Sequence, residues 1–326
     1  MDILNPKALS QQARQALNRG RDPKKVIYAY ALLTFGVSLM VTLINYYLDH
    51  QISGTGGLGN LGTRAILSTA QQVLPLLSSV VALCLEFGYL HAMMRISRGQ
   101  YADHTDLKTG LQLFWPILRL NLIQGLLIFA VAMVAAQLGS VIFMMTPWSE
   151  PLLTFLTPLM EAGTVPTEEA ILLQAADLIQ PLLIVSGIVC IVCILPLLFQ
   201  LRMANFCLVD NPKAGALAAI RASRKMMRRR FLPMLKIDLS LWPYYLGTAV
   251  MSVVLYLDLI LPMLGISVPL DATVFSLIVY AVALVLQVLI QITLRNRVET
   301  TYLMAYNALR EKPRDDGIVL GNIFDM

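Results

Sequence analysis

The chain has 326 residues, 57% of them apolar and 14% charged, with a mean hydropathy of +0.68 and a net charge of +5. Soluble domains carry roughly a quarter charged residues, so this composition argues against an ordinary soluble fold, and the membrane span becomes the unit to count. The aromatics lie in the apolar stretches rather than among the bases, which argues against nucleic acid as a partner.

In chain order, residues 1–25 are polar, and Asn5-Pro6-Lys7-Ala8 opens an amphipathic helix that continues to Arg19. The first apolar run is far longer than the core of a secretory signal. Six apolar stretches follow, at about 26–48, 66–94, 116–145, 181–201, 231–264 and 273–294. Each holds the roughly 20 residues a bilayer core requires. A span must satisfy its own backbone hydrogen bonds, so helices are expected. Pro243 and Pro262 interrupt the fifth stretch.

Between spans two and three, Thr105 to Phe114 reads as a short interfacial helix with Leu107, Leu111 and Phe114 on one face. Between spans three and four, residues 148–180 are acidic and read as an extracytoplasmic cap. The cap's second piece opens on Thr167 as N-cap, with Glu168 and Glu169 in its first turn. Between spans four and five, 211–230 reads as a basic interfacial helix. Leu217, Ile220, Met227 and Phe231 form its apolar stripe, and Lys213, Arg221, Arg224, Lys225, Arg228, Arg229 and Arg230 fill most of the remainder. Residues 295–326 form a cytoplasmic tail. The three interfacial segments start near residues 5, 105 and 211. That spacing fits three repeats of an interfacial helix plus a helical hairpin within a single polytopic domain, 1–326.

The bases fix an orientation. Of the 25 Lys and Arg residues, 24 lie in or beside the first, third, fifth and seventh polar segments, and only Arg64 lies across. Lys/Arg bias orients membrane proteins, so both termini are expected in the cytoplasm. The basic inner face suits anionic lipid headgroups, about 1 kcal/mol per nearby base.

Glu86 is the residue most suggestive of function. It precedes Arg95, at the inner edge of span two, by nine residues, or about 13 Å of helix. An acid at that depth is expected to be neutral, paired or beside water. Asn121, Gln124, Asp238, Gln287 and Gln291 stand at similar depth in other spans. They read either as hydrogen-bond glue between helices or as the lining of a polar cavity open to the cytoplasm. Cys84, Cys190, Cys193 and Cys207 avoid the outer loops, and the Cys190/Cys193 pair reads as apolar filler in a span. No metal-ligand spacing or catalytic constellation is recognisable around His50, His91 and His104. No cofactor, no metal and no enzymatic activity are therefore expected.

The stretch Leu201 to Arg230, LRMANFCLVDNPKAGALAAIRASRKMMRRR, resembles a bacterial integral membrane family, domain of unknown function 975. The resemblance rests on Asp210-Asn211-Pro212 and the Ala/Ser-rich helix ending in bases, with support from Arg98-Gly99 and Gly110 to Trp115. A more distant likeness is to the membrane domain of some glycerophosphodiester phosphodiesterases. The resemblance implies a multi-pass architecture in the bacterial plasma membrane and supplies no catalytic residues. The resulting expectation is a non-enzymatic membrane-organising or accessory envelope component, compatible with a membrane-protein partner. The alternative is a transporter or lipid-handling protein with a cytoplasm-facing polar cavity around Glu86.

Overall fold

A computed structural model of the chain describes residues 4–19, 23–54, 61–154, 168–228, 230–257, 260–261 and 272–311. Twelve α-helices organise these residues. They are α1 (Pro6–Arg19), α2 (Pro23–Gly54), α3 (Leu61–Ser97), α4 (Leu107–Gln112), α5 (Phe114–Met144), α6 (Glu168–Leu201), α7 (Ala204–Asp210), α8 (Ala216–Met227), α9 (Phe231–Ser240), α10 (Trp242–Leu255), α11 (Ala272–Ile290) and α12 (Asn296–Glu311). A π-helical turn, Gln291–Arg295, joins α11 to α12.

Five helical segments are long and apolar enough to cross a membrane: Lys24–Ile52, Gly62–Ser97, Phe114–Met144, Ile179–Asp210 and Val274–Arg310. Only 6 to 33% of the most apolar window of each is buried within the protein. That much exposed apolar surface is tolerable in a bilayer and not in water. Contact with lipid follows from it.

The expected fifth span differs. The chain leaves the helix at Leu241, and only Trp242–Leu255 remains as a shorter apolar helix of 14 residues. Pro243 is the cause: its ring would meet the Leu239 carbonyl of a continuous helix, and it has no N–H to donate. Pro262 lies outside the described residues.

The remaining differences are local. The second piece of the expected cap does not stand apart, because α6 runs unbroken from Glu168 through Pro181 into the fourth apolar stretch. Of the first piece, the turn Pro147–Ser149 and the helical residues 150–154 are described; its remainder, Thr167 and the acids Glu161, Asp258 and Asp271 expected on the outer side lie outside the described residues. The basic helix begins at Ala216 rather than Asn211, because Pro212–Ala214 forms a separate turn and Gly215 takes φ +80. Its buried stripe is Ala216, Ala219, Ile220, Ala222, Ser223, Met226 and Met227, and Phe231 belongs to α9. Leu217 is 56% exposed and shares its face with Arg221, Arg224 and Arg228. In α4, Leu107 is buried whereas Leu111 is exposed.

The chain forms two compact units, Met1–Arg119 with Met203–Met326, and Leu120–Arg202. In the first, α4 packs against α3 through glycine. A Cβ on Gly110 would collide with the Cys84 carbonyl, and one on Gly88 with the Leu107 backbone. In the second, α5 and α6 approach at Gly139, where a Cβ would lie 2.6 Å from Ser186 Cα. Cys190 Sγ there is 3.9 Å from the Ala132 carbonyl.

Candidate functional site

Three helices of the first unit enclose a groove of about 980 Å³. Its α2 wall carries Tyr30, Thr34, Ser38, Thr42, Asn45 and Tyr46, a stripe repeating at helical spacing. Its α3 wall carries Gln71, Pro75, Ser78, Ser79, Ala82 and Leu85, and the third wall Ser276, Leu277, Tyr280, Gln287, Gln291 and Arg295. Tyr30 and Tyr46 are 16 residues apart, about 24 Å along a helix, against a bilayer core of about 30 Å. The groove therefore extends over most of the depth of a span.

Several hydroxyls are tolerated here because they borrow a backbone acceptor. Thr42 donates to the Ser38 carbonyl at 2.9 Å, Ser78 to Pro75 at 2.8 Å and Ser79 to Leu76 at 2.7 Å. Their lone pairs remain available. Pro75 adds another acceptor: lacking an N–H, it leaves the Gln71 carbonyl without its helical partner. Asn45 Oδ1 is buried with no hydrogen-bond partner among the described residues.

Arg295 closes the end near Tyr30. Its Nη2 donates to Glu86 Oε1 at 3.0 Å, its Nε lies 3.8 Å from Glu299 Oε1, and its guanidinium stands 4.9 Å from the Tyr30 ring centroid and 5.6 Å from that of Tyr89. Tyr30 and Tyr89 stack at 4.7 Å. The Nε–Glu299 separation suffices for an ion pair but not for a hydrogen bond, so the buried Nε–H has no acceptor. The π-helical turn supplies both Gln291, which accepts from Thr34 Oγ1 at 3.1 Å, and Arg295. Such turns occur mostly as single insertions, often at functional sites.

The polar residues expected to share one layer separate into distinct settings. Gln287 and Gln291 line the groove; Glu86 does not, and reaches it through Arg295. Asp238 accepts from Tyr302 Oη at 2.7 Å, and Tyr302 in turn meets Tyr245 Oη at 2.7 Å. Asn121 and Gln124 belong to the other unit. Arg295 was the residue missed. It stands one position beyond the sixth apolar run, and the acid at mid-span was the signal that a cation had to be sought.

The bases expected on the inner face divide as well. Arg95 pairs with Asp106 at 2.7 Å, and Arg98 and Arg310 both pair with Asp210, at 2.7 and 2.8 Å. Lys213, Arg221, Arg224 and Arg228 are exposed, Lys225 and Arg230 are half-buried, and Arg229 lies outside the described residues. No group of three or more His, Cys, Asp or Glu that could hold a metal ion occurs among the described residues.

Asp210, Gly110 and the helix after Pro212 thus hold the fold together at the positions that carry the family resemblance. The family model described as "Protein of unknown function (DUF975)" matches residues 7–313. The chain belongs to that family. No curated protein and no solved structure gives a match. In this DUF975 protein the groove and its Arg295 end lie wholly inside the matched region.

Proposed function

We propose that this DUF975 protein is a non-enzymatic, lipid-handling protein of the bacterial plasma membrane whose groove takes the polar part of an amphiphile. The observation that carries the reading is the groove of about 980 Å³ ending at Arg295. Helices held together by hydrogen-bond glue alone would fill such a space with their own side chains. Here the unpaired Asn45 Oδ1 and Arg295 Nε each carry a desolvation cost of about 1–3 kcal/mol. A ligand with a donor and an acceptor would relieve both. Val37, Val41 and Leu277 alternate with the polar positions, which suits a molecule with apolar and polar parts better than a fully hydrated solute.

The orientation belongs to the same proposal. The Lys/Arg distribution supports six spans with both termini in the cytoplasm, the fifth built around Trp242–Leu255, and an outer cap at 148–180. The Arg295 end of the groove then faces the cytoplasm. In a cysteine-free version, single cysteines at Thr164 and Arg221 should label from opposite sides; labelling from one side would end the six-span reading.

The groove is tested by filling it. Ser78→Trp should abolish co-purification of the bound amphiphile in native mass spectrometry, while Leu76→Trp on the exposed face should retain it. The same amphiphile on both variants would refute the proposal. A second reading, a membrane-organising component, draws on the exposed face of α8, where Leu217 lies among arginines. That composition suits insertion at the headgroup level.

A further inference from the structure

A second, smaller cavity of about 250 Å³ lies apart from the groove residues, where α1 meets α9 and α12. Lys7, Ser10 and Arg14 line it from α1, Ser240 from the end of α9, and Arg297 from the start of α12. Helix α1 is anchored there by its apolar side, with Leu9 and Ala13 fully buried, and this turns Lys7 and Arg14 outward. Arg297 Nη2 donates to Ser10 Oγ at 3.0 Å, which fixes the guanidinium at the cavity wall.

The charge balance is one-sided. Three bases from two elements converge, and no carboxylate lines the cavity or pairs with any of them among the described residues. Among the described residues, the acids nearest along the chain are engaged elsewhere: Asp238 accepts from Tyr302, and Glu299 faces Arg295. The amino end of α1, at Pro6, adds the positive end of its dipole. Three like charges held together cost repulsion, which an anion would remove. Trp242, 60% exposed and two residues beyond Ser240, is the kind of side chain that marks the headgroup level of a bilayer.

We infer that this cavity is a phosphate-binding site that takes the phosphate of an anionic lipid headgroup. Arg297 offers a planar fork to two phosphate oxygens, and Lys7 and Arg14 supply point charge on either side. The Ser240 hydroxyl donates to the Ile237 carbonyl at 2.7 Å and keeps its lone pairs, so it positions rather than binds. The site is independent of the groove and of the exposed bases of α8.

The test uses the full chain in detergent and short-chain dihexanoyl phosphatidic acid as probe. The variant K7Q/R14Q/R297Q should bind it at least ten-fold more weakly than wild type. K24Q/R64Q/K108Q, which removes the same charge from exposed positions elsewhere, should bind as wild type. Lys7 is exposed on its helix, so Lys7→Gln alone, expected to lose about three-fold, reports even if the triple variant fails to fold. Competition separates the sources: displacement by millimolar inorganic phosphate assigns the site to phosphate in general, and persistence assigns it to the lipid headgroup. Unchanged binding by both K7Q and the triple variant, or an equal loss in the control, would overturn the inference.

Discussion

The Arg295 guanidinium donates to the Glu86 carboxylate across 3.0 Å, joining helices whose paired residues are 209 positions apart. The two ends of this pair are not equivalent. Without Glu86, Arg295 keeps Glu299 and two aromatic faces. Without Arg295, two carboxylates face each other with no cation between them. Glu86→Gln should therefore cost about 1–2 kcal/mol, below the roughly 1.5–3 kcal/mol of a charged hydrogen bond because the Glu86 side chain is 36% exposed and water takes up part of the loss, and Arg295→Gln about 3 kcal/mol or more. Unfolding free energies in bicelles check the order; equal losses would contradict it.

The α3–α4 junction predicts a sharp contrast among glycines. Gly110→Ala and Gly88→Ala each drive a methyl into backbone atoms, which cannot rotate away. Overpacking of this kind costs typically 1–3 kcal/mol. At Gly36 a Cβ meets nothing within 4 Å, and Gly36→Ala should be neutral or slightly stabilising, since alanine is the better helix former. Thermal melting in detergent distinguishes the two classes.

The apolar runs made the spans legible, because lipid demands a length and a composition that a single sequence displays directly. Pro243 likewise announced the break in the fifth stretch. Three features were hidden for physical reasons. The Glu86–Arg295 pair is a tertiary contact, and helical periodicity within one segment carries no information about it. The π-helical turn at Gln291–Arg295 has no residue signature of its own. In α8 the buried stripe is built largely from Ala216, Ala219, Ala222 and Ser223, which hydropathy scarcely registers, so Leu217 drew attention to a face that is in fact exposed. The groove was legible only in part. Gln287 and Gln291 marked it, whereas the serines and threonines of α2 and α3 were inconspicuous as helix residues whose hydroxyls bond their own backbone.

Tyr302 links Tyr245 to Asp238 through two contacts of 2.7 Å. Tyr302→Phe keeps the ring in its place and removes both. Asp238 then loses a donor in a half-buried setting, at an expected cost of about 1–3 kcal/mol. Tyr245→Phe removes one contact and leaves the Tyr302–Asp238 bond, so its cost should be smaller, about 0.5–1.5 kcal/mol. Unfolding measurements on the two single variants and the double variant check this. Since Tyr302 is common to both contacts, the double variant should be little worse than Tyr302→Phe alone.

Asp210 gathers three partners from two parts of the chain. It accepts from Arg98 at 2.7 Å, from Arg310 at 2.8 Å and from the Tyr306 hydroxyl at 2.9 Å, and its side chain is 5% exposed. These partners tie α3's end and α12 to the close of α7, just before the turn at Pro212 that sets the start of α8. Asp210→Asn keeps the shape and removes the charge, so two arginines lose their counter-ion together. Both guanidiniums are more than a third exposed or close to it, which lets water take up part of the loss. The expected cost is then about 2–3 kcal/mol, below the 3–5 kcal/mol of a fully buried pair. Tyr306→Phe, removing one hydroxyl from the same carboxylate, should cost about 1 kcal/mol. Because α8 depends on this corner for its placement, Asp210→Asn should also raise hydrogen exchange along Ala216–Met227, whereas Tyr306→Phe should leave that exchange near wild type. Equal protection of α8 in both variants would show that the turn at Pro212, and not the Asp210 cluster, holds the helix in position.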